Sequence, residues 1–316
     1  MRPGARQGRP GRGLLHAPEV REIRSDPRRP EPARSVGDPV RRSGSRCHHA
    51  HSLADALTWA ALVLYARVPR AGRVKTRMVP WLRESEALRL HAALLVDSLR
   101  LLSAGAEQVG ATPFVSFSEA WNPRNRPDCD EIADAAAGMA RLSQRGADLG
   151  QRLQDTFRRL FARGFRRVVV IGSDSPTLPV VILKGAFASL ERAGDVVLGP
   201  AEDGGYYLLG ATRLLPRMFE KIPWGTERVM RATLGALDRC GARTIVLSPW
   251  HDVDRPRDLE WVRRELSGRP PGALRPESTR AFVQALVRDG RLPLSGRRTV
   301  YPTWIRPSRP AHRRSR

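Results

Sequence analysis

Four polar stretches carry the residue types that handle phosphate and divalent cations. Gly72-Arg73-Val74-Lys75-Thr76-Arg77 offers a glycine that lets backbone approach a phosphate and three cations that can neutralise one. The GxxxxGK[ST] spacing of a Walker loop is absent, so a solvated basic loop is the competing reading of this stretch alone. Gly172-Ser173-Asp174-Ser175-Pro176 sets an aspartate among small residues at the end of an apolar run. There it can hold a divalent metal that bridges phosphate oxygens, or simply cap the segment that follows. GPAEDGGYYLLG, from Gly199 to Gly210, puts Glu202 and Asp203 against Gly204 and Gly205. A hairpin turn needs such glycines but is indifferent to the acids. In HDVDRPRDLEWV, Asp252 and Asp254 precede a helix with Pro256 in its first turn and Asp258 beyond. Capping accounts for one of these acids, not for both Asp252 and Asp254.

Such residues act only if a scaffold brings them to one edge. From Leu57 the chain alternates short apolar runs with amphipathic segments, the pattern of a largely parallel sheet covered by helices. Strands are expected at Ala60 to Ala66, Thr112 to Ser118, Val168 to Ile171, DVVLGP, EDGGYYLLG and ARTIVLS. Helices are expected at Glu84 to Ala104, from Asp148 (a candidate N-cap) to Gly164, from Pro179 to Arg192, from Thr226 to Arg239 and from Arg255 to Leu266. Glu119 to Ala147, Pro-rich and then alanine-rich, gives no clear period. In open α/β sheets ligands collect outside the carboxyl ends of the strands, where the polar stretches fall.

Charge is distributed unevenly over this plan. Of the formal +23, residues 1–56 carry 12 Arg against 6 acids and residues 267–316 carry 12 Arg against 2. Residues 1–56 have no Phe, Trp or Tyr and are rich in Pro, Gly and Arg, so they are expected to be a disordered extension. Residues 57–266 form the expected nucleotide-binding core. Residues 267–316 are expected to be a basic, mostly irregular tail with one helical patch at Thr279 to Arg288. Arginine without interleaved aromatics does not favour nucleic acid as a partner. Three scattered cysteines, Cys47, Cys129 and Cys240, fit a reducing cytoplasm rather than a disulfide framework. The tract Cys47-His48-His49 with His51 has no flanking pattern to fix a metal geometry, and no apolar run is long enough to cross a membrane.

Any one polar stretch is a weak signal. In order along the chain, a basic glycine loop after the first strand, an acid at the end of a central strand and later acids at the same edge describe a nucleotide site with one or two Mg²⁺ or Mn²⁺ ions. The motifs VPRAGRVKTR, QRGADLGQRL, IGSDSPTL, DVVLGPAEDGGYYLLG, IPWGTERVMRATL and DVDRPRDLEWV, in this order, resemble a bacterial glycosyltransferase-A-fold family linked to arsenosugar biosynthesis. That family is related to 2-phospholactate guanylyltransferase and to molybdenum cofactor guanylyltransferases. The resemblance runs from Ala60 to Leu266 and implies a Rossmann-like nucleotide-diphospho-sugar transferase fold, with the nucleotide over its amino-terminal half.

Carried over by position, Gly72, Arg73, Lys75 and Arg77 would contact nucleotide or acceptor phosphate. Asp148 and Arg152 would contact substrate. Asp174 would hold the metal, although Asp-Ser-Pro departs from the DxD of sugar transferases towards the nucleotidylyltransferases. Asp203, with Gly204 and Gly205, would lie on the acceptor side, and Asp254 would be a further metal ligand. The implied activity is transfer of a sugar from a nucleotide sugar to a small-molecule acceptor, with Asp174, Asp203 and Lys75 at the reacting centre. Its alternative is nucleotidyl transfer from a nucleoside triphosphate to a phosphorylated small molecule. A third, non-enzymatic reading is a nucleic-acid-associated protein acting through basic tails. Trp224 is expected to pack the entry to a helix, one of Tyr206 and Tyr207 to be core, His91 to be at most partly buried, and Cys240 not to be a nucleophile.

Overall fold

The computed structural model describes residues 21–23, 59–123, 129–215, 217–269 and 273–292. Its strands are β1 (Arg21–Ile23), β2 (Ala60–Ala66), β3 (Thr112–Phe117), β4 (Ala140–Ser143), β5 (Arg167–Gly172), β6 (Val196–Pro200), β7 (Tyr206–Ala211) and β8 (Thr244–Val246). Its helices are α1 (Glu84–Val109), α2 (Asp130–Ala135), α3 (Leu149–Ala162), α4 (Val180–Ser189), α5 (Val229–Arg239), α6 (Pro256–Gly268) and α7 (Glu277–Arg288). One sheet contains all the strands in the order β1-β8-β6-β7-β5-β2-β3-β4. β5-β2-β3-β4 and β8-β6 pair in parallel, while β7 and β1 run against their neighbours. The result is the mixed, mostly parallel sheet between helices that the alternation predicts.

The central strands read as continuous apolar runs because both of their faces are dry. Leu62 and Leu64 enter one core with Leu99, Leu102, Leu183 and Phe187. Ala61 and Val63 point the other way, to Leu153, Phe157 and Leu160. α1 runs five residues past its expected end and stops at Gly110, whose φ of 62° is the left-handed closure glycine accepts without strain. Asp148 caps α3 as expected, its Oδ1 accepting from Gln151 N–H at 2.8 Å.

The ends of the chain depart from the sequence reading. Arg21–Ile23, inside the segment expected to lack structure, pairs antiparallel with β8; the rest of residues 1–56, with the Cys47 to His51 tract, lies outside the described residues. Past Leu266 the chain continues as α7, which buries Val283 and Leu286 against Leu90, Leu94 and Val262. Asp97 of α1, its side chain fully buried, accepts from the N–H groups of Ser278 (3.2 Å) and Thr279 (2.6 Å). That carboxylate caps α7 from a neighbouring helix, so the helical patch belongs to the packed body. The patternless segment before Asp148 supplies α2 and β4, the latter only four residues long and half polar.

Candidate functional site

The carboxyl ends of β2 and β5 meet at one ion pair. Lys75 Nζ lies 2.5 Å from Asp174 Oδ1 and donates to Val253 O at 2.6 Å. The lysine side chain is 3 % exposed and the aspartate 45 %, so the cation is sunk behind a carboxylate that faces the cleft. Lys75 holds φ 49°, left-handed and uncommon for a side chain of its kind; such backbone concentrates at functional sites. Burial raises the Asp174 pKa, but the charge and hydrogen bond of Lys75, with neighbouring cations, outweigh it and hold the carboxyl below its ordinary value. His91, expected at most partly buried, is 2 % exposed and sets Nε2 3.0 Å from Arg67 O. Burial lowers its pKa, and the ring braces the loop from behind. Val253 N–H donates to Asp174 O at 2.8 Å, and Ser98 Oγ to Ser173 O at 3.0 Å. These bonds fix the Asp174 turn from two sides.

On one side of this pair opens a cationic basin of about 780 Å³ over the parallel half of the sheet. Arg67, Arg70, Arg73 and Arg152 line it, with Asp148 and Asp174. Arg70 pairs with Glu119 at 3.0 Å, and Arg152 Nε donates to Gly146 O at 3.0 Å. Among the described residues no carboxylate pairs with Arg67, Arg73 or Arg152. Unpaired guanidiniums over strand ends are suited to bidentate binding of phosphate.

On the other side lies an acid-lined cleft of about 590 Å³, bounded by the β6–β7 turn, the loop before α5 and the start of α6. Glu202, Asp203, Glu227, Asp252, Asp254 and Asp258 line it, with Arg77, Arg255 and Arg257. Arg77 Nη1 is held by Asp254 Oδ2 at 2.6 Å, and Asp258 accepts the N–H groups of Asp254 and Arg255, capping α6. Asp252 behaves differently. Burial, together with the charges of Asp203 and Asp174, pushes its pKa up to about 7. At the back, His251 Nδ1 lies 2.6 Å from Glu202 Oε2, and its ring stacks on Trp261 at 3.8 Å between centroids.

The structure therefore gathers most of the residues picked from sequence, in two groups. Arg73, Lys75, Asp148, Arg152 and Asp174 belong to the cationic side; Arg77, Asp203 and Asp254 belong to the acidic side. Gly72 (φ 71°) lets the basic loop turn, and Gly204 (φ 88°) lets the β6–β7 turn pass within contact of Glu227 O. Gly205 N–H donates to Asp203 Oδ1 at 2.8 Å. Arg67, His251 and Trp261 were missed: Arg67 reads as the polar end of a strand, and the other two become neighbours only through the fold. Trp224 packs on Gly150 and Tyr206, and Tyr207 is core with its hydroxyl donating to Ser248 O. Burial raises the Cys240 pKa, the opposite of what a nucleophile needs.

Among the described residues no three His, Cys, Asp or Glu side chains form a ready metal cage. Magnesium asks for less, one or two carboxylates plus substrate phosphates and water. Asp174, Asp203 and Asp252 offer carboxylate oxygens, the hard donors that Mg²⁺ or Mn²⁺ would accept. Of the acids after β8, the one electrostatically joined to Asp174 and Asp203 is Asp252; Asp254 is engaged by Arg77.

A parallel half-sheet with a phosphate-suited basin, followed by a reversed β7 and an acidic second cleft, defines the class: the nucleotide-diphospho-sugar transferase fold. A protein of Desulfovibrio desulfuricans G20, provisionally named a nucleotide-diphospho-sugar transferase, superposes with a TM-score of 0.64 at 26% identity, over 74% of this chain and 97% of its own. Residues 103–226 match a family described as an uncharacterized protein conserved in bacteria, DUF2064. Lower similarity extends to CMP:2-keto-3-deoxy-manno-octonic acid synthetase complexed with CTP (TM-score 0.40, 14% identity, 66% of this chain and 98% of that one). A cytidylyltransferase of Leptospira borgpetersenii serovar Hardjo-bovis is similar at the same level (0.40, 13% identity, 77% and 100%). No curated protein matches the chain. No helix among the described residues is long and apolar enough to cross a membrane.

Proposed function

We propose that the protein is a nucleotide-donor transferase that moves a sugar from a nucleotide sugar to a small-molecule acceptor, with Mg²⁺ or Mn²⁺ as cofactor. The observation that carries this reading is the Lys75–Asp174 pair standing between a basin lined by four arginines, three of them without a carboxylate partner among the described residues, and a second, acid-lined cleft. The donor diphosphate lies against Arg67, Arg73 and Arg152, and Lys75 holds the Asp174 carboxylate in a fixed place. Asp174, with Asp203 and Asp252, would hold the ion, which when bound would neutralise charge on the diphosphate. In the transfer an acceptor oxygen bonds to the sugar's anomeric carbon as the bond from that carbon to the diphosphate breaks. The nucleoside diphosphate leaves with the electron pair, its charge met by the arginines. No side chain need act as a nucleophile.

Nucleotidyl transfer is the second reading, favoured by the density of cations in the basin, which suits a triphosphate, and by the Asp-Ser-Pro spelling at Asp174. Incubation of the purified chain with magnesium and either a nucleoside triphosphate or a nucleotide sugar separates the two. Release of nucleoside diphosphate supports sugar transfer and release of pyrophosphate supports nucleotidyl transfer; neither, across a full donor panel, sinks both. The arsenosugar kinship suggested by the motifs and a cytoplasmic location belong to the same proposal.

A further inference from the structure

Resting on the reading that Asp174 holds the donor's metal ion, we infer that Arg269, the first residue past α6, is a positioning residue for that centre. It fixes the far side of the Asp174 loop, so the chain beyond Leu266, where the expected core ends, completes the site. The guanidinium donates through Nη2 to Thr177 O and through Nη1 to Leu274 O. Thr177 follows Asp174 in the same loop and is fully buried. Ser98 Oγ holds Ser173 O and Val253 N–H holds Asp174 O, so both of these bonds act at or before the aspartate. Between Asp174 and the start of α4 the loop has its own Leu178 N–H to Ser175 O bond at 3.1 Å, Trp250 Nε1 on Thr177 Oγ1 at 3.3 Å, and the fork of Arg269.

The residue type suits this task. A planar guanidinium can hold two carbonyls at once in a fixed geometry, which an ammonium cannot. Burial lowers the Arg269 pKa, and its Nε is buried without a hydrogen-bond partner among the described residues. A half-buried cation in that setting is costly to the fold, and such departures concentrate where a site is held in place. The second carbonyl, Leu274 O, belongs to the link into α7, and α7 is capped by Asp97, the neighbour of Ser98 on α1. α1 therefore grips the loop twice. Ser98 holds it directly before Asp174, and Asp97, by seating α7, sets the link that carries Arg269 to the loop's other side. A metal-binding carboxylate needs such support, because its ligand geometry is only as firm as the groups behind it.

Amide hydrogen exchange and Mn²⁺ binding on the full chain test this together, with Arg269→Lys as the main variant because it keeps the charge and loses the fork. The amides of Val253, which donates to Asp174 O, and of Leu178 are expected to exchange at least tenfold faster in the variant, while those of β2 and β5 keep their rates. Mn²⁺ affinity in the presence of uridine or guanosine diphosphate is expected to fall at least fivefold, and the affinity for either diphosphate without metal to stay within twofold. Unchanged exchange at Val253 and Leu178 overturns the inference. Faster exchange with unaltered Mn²⁺ affinity overturns it too, as does a uniform rise over β2 and β5, which would make Arg269 a prop of the whole fold. If Arg269→Lys does not fold, Arg269→Gln, which keeps a planar donor, takes the same measurements, and failure of both to fold overturns a role confined to the loop. Asp174→Asn checks the underlying reading separately: if it binds Mn²⁺ as the parent does, the metal at Asp174 fails, while the exchange rates still decide whether Arg269 fixes the loop.

Discussion

The two clefts that flank Lys75 and Asp174 are built on one sheet edge and hold opposite chemistry. The cationic basin sits over β5-β2-β3-β4, where parallel strands end side by side and the loop after β2 delivers Arg67, Arg70 and Arg73 to one place. Past β5 the sheet reverses at β7, and the edge is closed instead by the β6–β7 turn and the entry to α6, both rich in acids. Topology therefore sorts the charge. Parallel strand ends collect guanidiniums, and the antiparallel interruption collects carboxylates.

The largest expected effect falls on the residue that joins the two. Asp174→Asn removes the carboxylate while nearly keeping its shape, and transfer in the presence of magnesium should fall by about 10²- to 10³-fold, the scale of losing one preorganised electrostatic group. Donor turnover under saturating nucleotide measures it. An Asp174→Asn variant within threefold of the parent would break the comparison at its centre, because the two clefts would then share no reacting point.

A second step separates the clefts by ligand. Arg67→Ala and Arg73→Ala should each weaken nucleoside diphosphate binding roughly tenfold, since a charge-assisted hydrogen bond contributes about 1.5–3 kcal/mol. Glu202→Gln, across the divide, should leave that affinity within twofold. Calorimetry on the three variants decides whether phosphate belongs to one basin alone.

The turns that frame the clefts differ in how much they tolerate. A Cβ on Gly204 would stand 2.1 Å from Glu227 O with φ at 88°, and the neighbour is backbone, which cannot step aside. A Cβ on Gly72, at φ 71°, meets only the end of the Glu84 side chain at 3.4 Å. Urea unfolding should show Gly204→Ala costing about 3 kcal/mol and Gly72→Ala about 1 kcal/mol. Equal costs would mean that the acidic cleft is not the more rigidly framed of the two.

Titration offers a gentler probe of the acidic side. Asp252 has its pKa raised to about 7, above the ordinary value near 3.9, so the folded chain holds a proton that the unfolded chain has lost. This favours the fold fully below about pH 4, and the contribution is lost as pH rises through 7. Without divalent metal, Tm should therefore drop by a few degrees across that window on this account, and Asp252→Asn should remove that part of the slope. Magnesium should raise Tm most at the alkaline end, where all three acids are charged. A parent and an Asp252→Asn variant with identical pH profiles would show that the acids are not coupled across the cleft.

How much of this could be read beforehand follows the same divide. The apolar runs of β2 and β5 and the period of α1 and α3 declared the parallel half, and Asp174 stood out because it follows the VVVI run of β5 among small residues. The β6–β7 turn was legible from its glycines. The different surroundings of Asp252 and Asp254 were not, since two acids two positions apart look alike until one is engaged by Arg77 and the other feels the charge of Asp203. His251 and Trp261 carry no local signal, because their stacking depends on where α6 docks. α7 was visible as a helical patch, but its place in the packed body rests on Asp97, 180 residues earlier, capping it across an interface. Periodicity reports a residue's own element, and such pairings join elements.

Asp148 is where the sequence reading and the geometry make distinct forecasts of the smallest size. Its position in the GADLGQR motif suggests a substrate contact, and it does line the cationic basin. Its Oδ1, however, already accepts Gln151 N–H at 2.8 Å as the cap of α3, and an anion beside a phosphate site repels what the arginines attract. If the cap is its whole role, Asp148→Ala should cost about 1 kcal/mol of stability and leave nucleoside diphosphate affinity unchanged or slightly tighter. Asp148→Asn, which can still accept that bond, should restore most of the stability. Weaker nucleotide binding in both variants would instead make Asp148 a ligand of the donor, for example through a ribose hydroxyl, and would give the cationic basin a polar end as well as a charged one.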